Sequence, residues 1–284
     1  MEIEVGDLTF TALDAGPADG VPVLLLHGFP EGARCWAETM VVLAEAGLRC
    51  VAPDQRGYSP AARPLAVADY ALDAVVLDAV GILDVLGWES AHVVGHDWGA
   101  VVAWTLAARH PERVRTLTAV AVPHPGAVGT ALRSDPEQPA RSAYVDLFRK
   151  PVLAERVLLE DDANRLRAMF AGSGLDPAEV DAYVVPLQVP GALTAALNWY
   201  RAMTGADLAG IGPVAVPTTY VWGADDVAIG RMAAEGCAGF VTADFAFVPL
   251  DGVSHWVPEQ VPDVLAAHIL DRIAASPHRD SASS

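Results

Sequence analysis

The chain of 284 residues has only 3 cysteines, Cys35, Cys50 and Cys237. The count is odd and the spacing does not suit a metal. No disulfide framework or zinc module is expected, and the thiols read as reduced packing residues of a cytoplasmic protein. Basic residues are scarce: 18 Lys and Arg stand against 36 Asp and Glu, a formal net charge of −18. That balance argues against nucleic acid and anionic membranes as partners. Nor does it suggest a highly anionic substrate; solubility is enough to account for it. Met1-Glu2-Ile3-Glu4 offers neither a basic nor an apolar segment, so no signal peptide is expected. No apolar run is long enough to span a bilayer. There is no internal repeat and no low-complexity bulk; only Ser276 to Ser284, small and polar, is expected to be disordered.

What is present is apolar and rhythmic. Hydrophobic residues make up 52% of the chain and charged residues 19%, enough for one large α/β domain with an insertion. Glu2–Val5 and Leu8–Asp14 read as an initial strand pair. Val23-Leu24-Leu25-Leu26 is a continuous apolar run typical of a parallel strand buried on both faces. A helix is expected from Ala33 to Ala46, closed by Gly47, then a strand over Leu48–Ala52. Leu72, Val75, Val76, Ala79, Leu83 and Leu86 recur at helical spacing before Gly87. Further strands are expected at Ala91–Val94, Val114–Val122, Thr218–Trp222 and Phe245–Leu250, with a last helix from Pro262. Residues 123–212 break the rhythm: they read as helical, with proline and glycine stops. The expected architecture is α/β, a mostly parallel sheet flanked by helices. Residues 1–122 and 213–284 form the core, and residues 123–212 a helical cap over the carboxyl ends of the strands.

The sharpest signal is Gly95-His96-Asp97-Trp98-Gly99. It lies between a short apolar strand and the apolar stretch Ala100–Arg109, stopped by Pro111. This is the strand–turn–helix setting of a nucleophile elbow, with aspartate at the centre instead of serine. Serine suits attack on a carbonyl, but on a saturated carbon it would form an ether, a dead end. A carboxylate attacking a saturated carbon forms an alkyl ester, which water can cleave to release an alcohol. It needs no deprotonation at neutral pH. Aspartate here therefore points to covalent displacement at an electrophilic sp3 carbon.

The partners such chemistry needs follow in order. Asp226 comes just after one expected strand and His255 just after the next. His255 would deprotonate a water beside the ester, and Asp226 would hold its tautomer. The Gly-x-x-Asp spacing favours Asp226 over Asp225. His27-Gly28-Phe29-Pro30 ends the Val23–Leu26 strand, so the Phe29 and Trp98 backbone N–H groups could form an oxyanion hole.

Four segments, His27-Gly28-Phe29-Pro30, Asp54-Gln55-Arg56-Gly57-Tyr58, Gly95-His96-Asp97-Trp98-Gly99 and Ser254-His255-Trp256, resemble in order the motifs of the epoxide hydrolase family of α/β-hydrolases. The likeness spans nearly the whole chain. Asn198-Trp199-Tyr200-Arg201 is similar to that family's second-tyrosine motif. Tyr144, in Tyr144-Val145-Asp146-Leu147-Phe148-Arg149-Lys150-Pro151, matches the first-tyrosine segment at its tyrosine, phenylalanine and proline positions. Two departures stand out: Val145 where relatives often have glutamine, and Ser254 where glycine is common. Neither removes a reacting group. The resemblance implies a cofactor-free, metal-free conversion of an epoxide and water to a vicinal diol. Two tyrosines suit that chemistry on their own terms, because ring opening leaves an alkoxide. A phenol with a pKa of about 10 is protonated at neutral pH yet far more acidic than an alkanol.

Trp36, His124, Trp199 and Trp256 are candidates to line the substrate pocket. One alternative is haloalkane dehalogenase, which shares the aspartate nucleophile but needs N–H donors for the halide; Phe29 stands where some of those enzymes carry asparagine. Another is a non-catalytic fold that binds a small hydrophobic ligand, which would need none of this acid–base machinery. A homodimer formed through the cap is open.

Overall fold

The structure, a computed structural model, describes residues 1–276. The tail expected to be disordered falls outside the described residues except for Ser276. Eight strands among the described residues form one sheet: β1 (Glu2–Val5), β2 (Leu8–Ala15), β3 (Val21–Leu26), β4 (Leu48–Pro53), β5 (Ala91–His96), β6 (Val114–Val120), β7 (Thr218–Gly223) and β8 (Phe245–Leu250). Their order across the sheet is β1-β2-β4-β3-β5-β6-β7-β8. The pairs β1–β2 and β2–β4 are antiparallel, and every pair from β4 to β8 is parallel.

The apolar run of β3 is explained by its central place. Leu24 and Leu26 pack into a core on one face, with Val75, Val76, Val102 and Trp104. Val23 and Leu25 pack into a second core on the other face, with Met40, Leu43, Leu265 and Ile269. The helices behind these cores are α1 (Ala37–Glu45), α2 (Leu72–Val85), α3 (Trp98–Arg109) and a C-terminal helix, Pro262–Ala274. Alternate side chains of a strand point to opposite faces, so a strand buried on both must be apolar throughout.

Seven helices fill the chain between β6 and β7: α4 (Pro125–Ser134), α5 (Gln138–Arg141), α6 (Tyr144–Phe148), α7 (Leu153–Met169), α8 (Pro177–Gln188), α9 (Ala192–Ala202) and α10 (Gly205–Ala209). After β7 come α11 (Arg231–Glu235), α12 (Val257–Gln260) and the C-terminal helix, α13. Helix α9 joins both cores: Trp199 packs into the first and Tyr200 into the second. The Trp199 indole also donates to the Arg56 carbonyl at 2.8 Å, while Asp78 of α2 holds the Arg56 guanidinium. This gives the Asp54–Tyr58 segment a structural task, fastening the helical insert to the sheet.

Several boundaries differ from expectation by one or two residues, and two of the differences have a visible cause. The helix expected from Ala33 opens as a 3-10 turn, Ala33–Trp36, because the Ala33 N–H is drawn to the Asp54 carboxylate at 2.8 Å. The strand expected to reach Val122 stops at Val120. Ala121 adopts a φ of 62°, its N–H bonds the Val221 carbonyl, and its own carbonyl accepts from the Tyr220 hydroxyl. No single helix among the described residues is long and apolar enough to cross a membrane.

Candidate active site

The sheet order reverses at β3: β4 pairs on one side of it and β5 on the other. Open parallel sheets bind ligands at the carboxyl end of such a switch point. The β3–β5 register sets Leu26 beside Gly95, so the loops leaving both strands emerge together. Asp97 leaves β5 with φ 51° and ψ −119°. A non-glycine residue held there costs about 1–3 kcal/mol, a strain typical of functional turns. The glycines around it are demanded by crowding. A Cβ on Gly99 would overlap the Leu26 carbonyl, one on Gly95 the Gly99 carbonyl, and one on Gly28 the Asp97 side chain.

With that space kept open, the Phe29 N–H donates to Asp97 Oδ1 at 2.9 Å. Trp98 begins α3, so its N–H has no acceptor within the helix. One carboxylate oxygen is thus held by a backbone donor, and the other, Oδ2, lies 3.5 Å from His255 Nε2.

The opposite side of the site comes from β7 and β8, which run in register with Gly223 beside Leu250. Their exit loops are stitched by Ala224 N–H to Leu250 O and by Asp225 N–H to Val253 O. Asp226, not Asp225, meets the histidine: its Oδ2 lies 2.8 Å from His255 Nδ1. Asp226 Oδ1 accepts from the Ala228 and Ile229 N–H groups at 2.7 and 3.0 Å, which fixes the carboxylate plane. The helical insert braces this loop. Gln138 of α5 bonds both Ala228 O and Gly230 N, and Arg141 donates to Asp226 O.

Burial alone would raise the Asp97 carboxyl and lower the His255 imidazole. Neither happens. The hydrogen bond and charge of His255, aided by the Phe29 N–H, hold Asp97 below the usual carboxylate range. Asp226 foremost, and then Asp97, hold His255 well above the usual imidazole range. Each group thus favours the charged form of the other, with Asp97 8% and His255 6% exposed.

Above this pair stand Tyr200 from α9 and Tyr144 from α6, with ring centroids 6.4 Å apart. Tyr200 is 4% exposed and meets Trp98 edge-on at 5.0 Å and Phe29 at 5.5 Å. Tyr144 is 38% exposed. Burial first, and then the Asp97 charge, push the enclosed Tyr200 phenol above its ordinary range; the Tyr144 phenol shifts the same way although that residue is partly exposed, so both are proton donors at neutral pH. Phe148 packs against Phe29, Tyr144 and Tyr200, closing an aromatic wall.

Of the four residues expected to line the pocket, Trp36 and His124 are placed elsewhere, while Trp199 and Trp256 stand beside Trp98 and His255. Trp36 is fully buried in the second core, under the 3-10 turn. His124 caps α4, accepting from Gly126 N–H; its other ring nitrogen meets Gly212 O and its ring stacks on Phe240, so no hydrogen bond or ring contact of it reaches Asp97 or His255. Trp199 touches Trp98 but spends its N–H on Arg56. Trp256 adjoins His255, stacks on Phe170 at 4.6 Å and donates to Met169 O, tying the histidine loop to the insert. Trp36 packs and His124 caps a helix, whereas Trp199 and Trp256 fasten the insert while bordering the site.

The sequence reading missed Glu31, His96 and Glu259, which lie behind His255. His96 Nε2 is 2.9 Å from the His255 carbonyl, and His96 Nδ1 is 2.8 Å from Glu31 Oε2. Two of these residues belong to or directly follow quoted motifs, yet only the fold brings them together. Among the described residues, no cluster of side chains suits a metal ion.

Comparison with known proteins fits this architecture. The profile of the α/β-hydrolase fold matches residues 21–257. The AB hydrolase superfamily protein YfhM of Bacillus subtilis is 35% identical over 276 residues, covering 95% of this chain and 96% of that protein. Epoxide hydrolase A of Mycobacterium tuberculosis is 30% identical over 312 residues, covering 95% of each. Among solved structures, epoxide hydrolase A from Mycobacterium thermoresistibile superposes with a TM-score of 0.85 at 28% identity, covering 98% of both chains. An inhibitor complex of Bacillus megaterium epoxide hydrolase gives a TM-score of 0.87 at 26% identity, covering 96% of this chain and 100% of the other. The fold and the elbow define an α/β-hydrolase. Within that class the chain belongs to the epoxide hydrolase family, enzymes that act on ether bonds.

Proposed function

We propose that the protein converts an epoxide to a vicinal diol through an ester on Asp97. The observation that carries this reading is the split use of the Asp97 carboxylate: Oδ1 sits on the Phe29 N–H while Oδ2 faces His255 beneath two protonated tyrosines. Oδ2 attacks a ring carbon and the C–O bond breaks toward the epoxide oxygen. Tyr144 and Tyr200 hydrogen-bond that oxygen, and one of them delivers the proton that makes it a hydroxyl. Oδ1 becomes the ester carbonyl oxygen, already placed on its backbone donor, with the Trp98 N–H as the second.

Ester formation removes the negative charge that helped keep His255 protonated. Summed over this step, one proton passes to the new hydroxyl and His255 becomes neutral. It can then take a proton from water as the hydroxide attacks the ester carbon. Asp226 stabilises the imidazolium that re-forms. Collapse expels the diol and restores the Asp97 carboxylate. Epoxide plus water gives diol, and no cofactor is consumed. The helical insert acts as a cap that supplies the acids. The protein works in the cytoplasm without a nucleic-acid or membrane partner.

Turnover of a panel of aryl and alkyl epoxides, with haloalkanes alongside, tests the reading. Diol without halide, abolished in Asp97→Asn, is the expected result. Halide release would move the chain to the dehalogenases, and silence on both substrate classes would favour a binding protein.

A further inference from the structure

Behind the catalytic histidine lie a buried acid and a partly buried one that the reaction above does not use. Glu31, after β3, is 2% exposed and meets His96. Glu259 of α12 approaches from the other side, near enough that each carboxyl group acts on the other. Yet Glu31 Oε1 and Glu259 Oε2, both buried, find no N–H or hydroxyl donor. Two carboxylates cannot bond without a proton between them.

Counting protons fixes the state of the group. His96 Nε2 faces a carbonyl, so it bears a hydrogen. The His96–Glu31 contact needs one proton and the Glu31–Glu259 contact needs another. Two protons offset two carboxylates, so the trio is neutral however they are distributed. The Tyr183 hydroxyl of α8 donates to Glu259 Oε1 at 3.2 Å, and Cys35 is a further titratable group that Glu31 influences. Asp97 and His255 are the remaining charged groups that act on Glu31.

We infer that Glu259 is a positioning residue for the hydrolytic half of the reaction: it shares one proton with Glu31, keeping Glu31 on His96 and His96 on the His255 carbonyl. The inference rests on the proposed function. The His255 loop is also fastened by Ser254 to Gln260 and by Trp256 to Met169, but the His96 contact is the one made to the His255 carbonyl itself; Glu259 sits 4 residues beyond His255, in the helix that its loop enters. Loss of the shared proton would put a buried charge beside the pair and force the two carboxylates apart.

Burial foremost pushes Glu31 up to about 7 from an ordinary 4.5, and pushes Glu259 well above its ordinary value. The folded chain therefore binds protons that the unfolded chain has released. Stability from this pair is complete below 4.5 and lost as pH rises through about 7 and beyond.

Glu259→Leu and Glu259→Gln test the role. In Glu259→Leu, ring opening followed by tryptophan fluorescence keeps its rate. Ester hydrolysis slows on the order of ten- to a hundredfold, so kcat and KM fall together. Glu259→Gln still donates to Glu31 and recovers most of the lost hydrolysis; its kcat–pH profile loses the alkaline decline that the shared proton imposes on the parent. A second readout needs no substrate. The parent shows the infrared stretch of a protonated carboxyl at neutral pH, Glu259→Gln loses the part of it that Glu259 contributes, and the melting temperature of Glu259→Gln relative to the parent climbs with pH. An active parent whose two variants match it in hydrolysis rate and pH profile, or an absent carboxyl band, overturns the inference. A parent inert on every epoxide, with the band present, instead sinks the functional reading on which the hydrolytic role rests.

Discussion

The Asp97 side and the His255 side of the site are held in place by different means. On the first, Asp97 is set by backbone: a φ of 51°, one N–H from Phe29, and glycines at 28, 95 and 99 where a Cβ would collide. On the histidine side, His255 is set by side chains from distant parts of the chain. Asp226, braced by Gln138 and Arg141, stands on one side, His96 with its acids on the other, and Trp256 ties the loop to Met169. Backbone geometry is nearly all-or-none, because a wrong residue cannot fit. Side-chain networks fail by degrees, and they can titrate.

The largest effect should fall on the Asp97 side. Asp97→Asn removes the attacking carboxylate, and turnover should drop on the order of 10⁴-fold or more, with no ester formed in single-turnover mass spectra. On the other side, His255→Gln should lower steady-state turnover about 10³-fold or more while leaving ring opening in place. If both variants failed at the same step, the two sides would not divide the reaction as described.

Next come the tyrosines. Tyr144→Phe and Tyr200→Phe should each slow ring opening about 10²-fold, with the double variant slower still; a burst-phase measurement separates this from hydrolysis. Gly28→Ala sharpens the contrast in a different way. It adds one methyl group against Asp97 and should cost about 1–3 kcal/mol of stability along with most of the activity, whereas a conservative change in the histidine network costs part of one step.

The smallest effect belongs to the fastening of the insert. Trp199→Phe keeps an aromatic ring but loses part of the buried indole and its hydrogen bond to Arg56, and denaturant unfolding should show a loss of about 2 kcal/mol with the site chemistry intact.

The same contrast explains what could be read from the sequence. Residues fixed by backbone lie inside short motifs at strand ends, so Asp97, Phe29 and the glycines announce themselves locally. Asp226 and His255 are also visible, because each follows a strand at a set distance. The groups that brace them are not. Gln138 meets Ala228 across 90 residues, and His96 meets the His255 carbonyl across 159. No local pattern carries that information; the sheet order and the folding of the insert create it. Trp36 and His124 show the converse. Large rings beside motifs look like pocket lining, but a fully buried indole and a histidine with both ring nitrogens engaged serve packing. Only the third dimension separates a ring that faces substrate from one that faces the core.

The most direct test is the mass of the His255→Gln protein after brief mixing with an epoxide that the parent turns over, followed by peptide mapping. The account predicts a mass increase equal to the whole epoxide, carried on the peptide containing Asp97 and released slowly by water. No adduct, or an adduct on any other residue, would contradict an aspartyl ester as the intermediate.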